Sequence, residues 1–91
     1  MTSDLASALG HVRNAVWQLL SAQREDGLAL GLECLELEAL LNPDDIEPDV
    51  MRLHDGPTAS LTSARDLMAR IPQQVSPAAC AAVEALIVKL G

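Results

Sequence analysis

The side chains best able to do chemistry in this sequence are two histidines, two cysteines and one run of carboxylates, so their spacing is the first thing to weigh. His11 falls on the polar side of a helical repeat, and His54 stands beside Asp55 near the end of a short segment. Neither has a nucleophile or an acid–base partner at a spacing that would bring the two within hydrogen-bond reach. His54 suits an ordinary place near a helix C-terminus, where its protonated form meets the helix dipole favourably. Cys34 and Cys80 have no CxxC pairing and no neighbouring histidine, which argues against zinc. Both fall on apolar stripes and are expected to pack in the core as free thiols. A redox pair would need their Cα atoms within about 7 Å, which spacing alone does not establish.

Asp44, Asp45, Glu47 and Asp49 form the densest acidic run. Read from Asp45 as a calcium loop, it fails the template. The sixth position is Val50 where a glycine must turn the chain, and the twelfth is Gly56 where a glutamate must close the coordination sphere. The run reads as a solvated loop that could also face a basic partner. No glycine-rich phosphate loop, GxSxG elbow or paired-histidine motif occurs. The expectation is a protein that is no enzyme, with no metal, no cofactor and no small-molecule substrate.

Charge narrows the partners. The formal net charge is −7, and the basic residues Arg13, Arg24, Arg52, Arg65, Arg70 and Lys89 are scattered along the chain. Nucleic acid requires a basic patch or stripe, and anionic membrane surfaces require the same. Pro77 to Leu90 is the most apolar stretch, but it is shorter than the roughly 20 residues of a membrane span and carries Glu84 and Lys89. The first residues lack the basic start and unbroken apolar run of a secretory signal. A cytoplasmic protein is expected, and the preference for arginine over lysine in an Ala/Leu-rich chain suggests a GC-rich bacterial genome.

The elements that must position these residues are all helical. With 49% hydrophobic residues, no Phe, no Tyr and one Trp, the core is aliphatic and built from strong helix formers. One domain over residues 1–91 is expected, an all-α small helical bundle of four longer helices plus one short connecting helix. Leu5, Ala8, Leu9, Val12, Ala15, Val16, Leu19 and Leu20 recur at helical spacing and predict a helix over 4–23, capped by Ser3 or Asp4. A second helix over 27–41, capped by Asp26, ends at Asn42-Pro43, because proline disfavours helical backbone in the residue before it. Part of this segment alternates as a strand would, but it has no β-branched residue and runs too long. Pro48 starts a short helix over 48–55, with Ile46 stapled onto Met51 and Gly56-Pro57 as its end. A fourth helix over 59–71 stops at Pro72, and Ser76-Pro77 caps a last one over 77–90. On that last helix Ala79, Cys80, Val83, Leu86, Ile87 and Leu90 share one side.

Helix 27–41 has two apolar faces. Leu28, Leu32, Leu35 and Ala39 make one; Leu30, Cys34, Leu37 and Leu41 make the other. A helix apolar on both sides is sandwiched between neighbours, either within its own chain or in an interface. If the short chain leaves one face uncovered, the second face is the candidate. Trp17 lies beyond the apolar stripe of the first helix and is expected to be partly exposed. Either Arg13 or another helix covers its indole, or it anchors a partner. The candidate partner-binding residues are therefore Arg13, Trp17, Leu30, Glu33, Leu37 and Leu41. The functional expectation is a non-enzymatic protein–protein interaction module working through an apolar helix face with an acidic rim. The alternatives are a self-assembling homodimer and an acidic immunity or antitoxin-type protein that neutralises a basic partner.

Overall fold

A computed structural model describes residues 3–49 and 56–90. In chain order these form α1 (Asp4–Ser21), α2 (Gly27–Leu41), α3 (Pro57–Met68), a single 3-10 turn (Pro72–Gln74) and α4 (Pro77–Leu90). The fold is an all-α bundle, with no strand among the described residues. The short helix expected over 48–55 lies mostly outside the described residues, as do Met51 and His54. Residues 42–49, including Pro48 and Asp49, are not helical.

Local chemistry sets the helix ends. The Ser3 hydroxyl accepts the Ala6 N–H at 3.0 Å and the Ser76 hydroxyl accepts the Ala79 N–H at 3.2 Å. Each cap satisfies a backbone donor that a helix start leaves open and contributes about 1 kcal/mol. Asp26 precedes α2 without capping it, because Arg24 engages its carboxylate. Gly56-Pro57 is the beginning of α3, two residues before the expected 59, and the helix end expected just ahead of it lies outside the described residues. Gly56 adopts φ +94°, a conformation open to glycine, and Pro57 opens α3 with its ring already at a helical φ. Helix α3 stops at Met68, three residues earlier than expected, and turns lead to Pro72.

The contacts fix the topology. α1 packs between α2 and α3, and α4 closes the bundle against α3 and α2. Arg13 with Glu38 and Leu20 against Gly31 set α1 and α2 antiparallel, while Arg65 with Glu84 and Lys89 with Glu33 join α4 to α3 and to α2. Helices α2 and α3 occupy a diagonal, and the segment from Asn42 onward connects them. At its start the Asn42 side chain both donates to the Ile46 carbonyl and accepts the Ile46 N–H, each at 2.7 Å. Further on, the Asp49 N–H donates to the Ala6 carbonyl and the Ser7 hydroxyl to the Asp49 carboxylate, tying the connector to the start of α1.

One core holds the helices together. Leu9, Val12 and Leu19 of α1 meet Cys34, Leu37 and Leu41 of α2, Leu61 and Ala64 of α3, and Ala79 and Val83 of α4. Ser60 is its single buried polar residue among the described residues. Its hydroxyl accepts from the Asn14 side-chain amide at 3.1 Å and donates to the Gln18 side-chain oxygen Oε1 at 3.4 Å, which pins α3 to α1. Buried polar groups are tolerated when so partnered. Cys80 departs from its expected place: Ala79, Val83 and Leu86 face inward while Cys80 is exposed.

Candidate protein-binding face

Helix α2 is apolar on two opposite faces, so its sequence fits two opposite orientations in the bundle. The structure chooses the face of Leu30, Cys34, Leu37 and Leu41 as the interior, with Cys34, Leu37 and Leu41 fully enclosed. This corrects the expectation that placed Leu30, Leu37 and Leu41 on the partner surface. α1 and α4 together cover that face, and nothing of it is left for another molecule. The opposite face is the one left in solvent: Leu28 is 66% exposed, Leu32 52% and Leu35 41%, with Ala39 beside them.

Trp17 and Leu20 of α1, 65% and 46% exposed, adjoin this ridge. The register follows from two contacts. Arg13 reaches Glu38 through Nη2–Oε1 at 2.9 Å, and a side chain added at Gly31 would meet Leu20 Cδ2 at 3.0 Å. Residues of an antiparallel pair advance in opposite senses, so Trp17, between Arg13 and Leu20, is level with Leu35, between Glu38 and Gly31. Leu20 lies across from Gly31, where α2 carries no side chain. Leu28 follows one turn beyond. The five side chains thus form one continuous apolar surface over the α1–α2 seam.

The other candidate residues separate. Arg13 borders the surface, with its guanidinium turned to Glu38, and the indole of Trp17 remains open to solvent. Glu33 is on the far edge of α2, where Lys89 of α4 pairs with it. Leu20, Leu28, Leu32 and Leu35 are members of the face that the sequence reading did not assign to a partner. At one end the seam opens into a shallow depression of about 430 Å³, lined by Leu35, Ala39, Arg13, Glu38, Asn42, Pro43 and Asp45. At the other end Arg24 forms two hydrogen bonds to Asp26, which hold the Asp26 carboxyl below the usual carboxylate range.

The groups with chemical potential stay apart. No cluster of three or more His, Cys, Asp or Glu able to hold a metal occurs among the described residues. Cys34 is buried, and desolvation, with a smaller contribution from the Glu33 charge, pushes its thiol up to about 11. Such a thiol is a packing group with little thiolate character. His11 is half-buried, its Nδ1 has no hydrogen-bond partner among the described residues, and desolvation lowers its pKa. No described helix is long and apolar enough to cross a membrane. Comparison with protein-family models, with curated proteins and with solved structures finds no match to this chain.

Proposed function

We propose that this chain is a non-catalytic protein-interaction module whose docking face is the α1–α2 seam. The observation that carries the reading is the continuous surface of Trp17, Leu20, Leu28, Leu32 and Leu35 on a bundle whose core is already closed without them. Single exposed leucines are ordinary on a soluble protein, but a contiguous set with a tryptophan is what interaction sites display. Tryptophan is also among the side chains that dominate binding energy at interfaces.

The magnitude sets the kind of complex. Covering these half-exposed side chains gains on the order of 5 kcal/mol, taking about half the value of full burial for each. Association costs roughly 4 to 15 kcal/mol in lost motion, so the face by itself supports a reversible complex whose lifetime depends on the rim. The acidic rim then selects the partner and steers its approach.

The test is capture from the native host by the full chain, beside two variants. Leu28→Glu with Leu32→Glu places charge on the face; Val88→Glu places it at another exposed apolar position, 77% exposed on α4. A partner retained by the wild type and the Val88 variant, and lost with the Leu28/Leu32 variant, is the expected result. Equal retention by all three removes the seam from the reading. Helical circular dichroism of the variants guards against misfolding.

A further inference from the structure

We infer that the occupant of the seam is an amphipathic helix of a partner protein that carries lysine or arginine beside its apolar stripe. This rests on the docking reading above and goes beyond it by naming the shape and charge of what docks. The shape argument starts from two ridges. Trp17 and Leu20 stand along α1; Leu28, Leu32 and Leu35, spaced by four and three residues, stand along α2. Between them the buried Gly31 lets Leu20 pack close against α2, with Leu19 Cβ behind it. Ridges at these spacings on an antiparallel pair form the groove into which the ridge of a third helix packs. The apolar stretch from Leu28 to Leu35 is about 10 Å long at the helical rise, so two to three turns of partner helix cover it.

The charge of the occupant follows from which ions on this side are already neutralised. Arg13 is paired with Glu38 and Arg24 with Asp26, so both cations of the seam are held by carboxylates of α2 or its approach. Glu25 before α2, Glu36 on the solvent side of α2 and Asp45 at the depression beside Leu35 have no ion-pair partner among the described residues. The uncompensated charge around the apolar face is therefore negative. A cationic helix on this face brings the complementary charge to those of these points that its length reaches. A second copy of this chain would set Glu25, Glu36 and Asp45 against carboxylates of its own kind, and an anionic lipid surface would be repelled.

The probe is a display library of roughly three-turn helical peptides with leucine at i, i+3, i+4 and i+7 and with flanking positions randomised among Lys, Arg, Ser, Asp and Glu. It is selected on the immobilised full chain. The retained pool should favour Lys and Arg over Asp and Glu by roughly two- to fivefold per flanking position, the range of one exposed ion pair. Retained peptides should shift the emission of Trp17, the single tryptophan, to the blue. Glu25→Lys with Glu36→Lys and Asp45→Asn should abolish the bias while binding persists. A retained pool without charge bias, or with an acidic one, overturns the cationic partner and leaves the docking face standing. No retained peptide, together with host capture that still depends on Leu28 and Leu32, overturns the helical occupant alone. No retained peptide and no such capture overturns both readings. A blue shift with chain concentration alone, and a dimer mass in sedimentation, assigns the face to a second copy and overturns the inference.

Discussion

The orientation of α2 is the premise on which the docking face depends, and two alanine substitutions test it directly. Leu37 and Leu32 are the same residue type in the middle of the same helix, so replacing either by alanine changes helix propensity equally. Their surroundings differ completely: Leu37 is fully enclosed, while Leu32 is 52% exposed. At Leu37 the lost methyl groups leave a cavity in a core shared by α1 and α4, and such truncations cost about 2 to 5 kcal/mol. A domain of this length has roughly 5 to 14 kcal/mol of total stability, so the loss is a large share of it. At about 4 to 8 °C per kcal/mol, a cost of 3 kcal/mol lowers Tm by roughly 12 to 24 °C. At Leu32 solvent fills the space, and the change stays near 0.5 kcal/mol, a shift of a few degrees. Thermal and urea unfolding followed by far-UV circular dichroism measures both, with an unchanged urea slope as the sign that the denatured state is the same. If Leu32→Ala costs as much as Leu37→Ala, or more, α2 is turned the other way and the seam described here does not exist.

Three further outcomes follow from particular contacts. A thiol reagent should modify Cys80 rapidly in the native chain and reach Cys34 only on unfolding, because Cys80 is exposed while Cys34 is enclosed with its thiol pushed up to about 11; two fast thiols would refute the packing of α2. Gly27→Ala should destabilise the chain, since the new methyl would meet the Leu19 carbonyl oxygen at 2.6 Å. Gly31→Ala presses chiefly on the half-exposed Leu20 side chain, which can give way, and gains up to about 1 kcal/mol of helix propensity, so urea midpoints that fall together would contradict this difference. Desolvation holds the His11 pKa below its ordinary 6.5 in the folded chain, so the unfolded chain binds more protons just below that pH and stability falls as pH drops from 6.5 towards the folded value. His11→Gln should lose this part of the pH dependence in urea midpoints measured on either side of 6.5, and an identical dependence in the variant would refute it.

Much of the architecture is written locally. The apolar spacing of α1, the caps at Ser3 and Ser76, the stop at Asn42-Pro43 and the start at Pro77 each depend on residues within a turn of one another. Such signals survive in a sequence read without its neighbours. The exposure of Trp17 was legible for the same reason, since it lies off the stripe of its own helix. Gly56-Pro57 was legible as a boundary, and the helix after it takes in Pro57 itself because proline fits a first helical position.

Which face of α2 turns inward belongs to the tertiary structure. Leucines line both sides of that helix, so periodicity gives it no preferred direction, and the choice falls to whichever neighbours cover it. The one sequence signal was Cys34: a residue expected in the core shares its face with Leu30, Leu37 and Leu41, and these could not also be left in solvent. Composition and short-range spacing thus determined that this chain forms helices and where most of them begin and end. The docking face was decided only when α1 and α4 closed over one side of α2 and left the leucines of the other beside Trp17, because burial is a property of the assembled neighbours and is not carried by the helix alone.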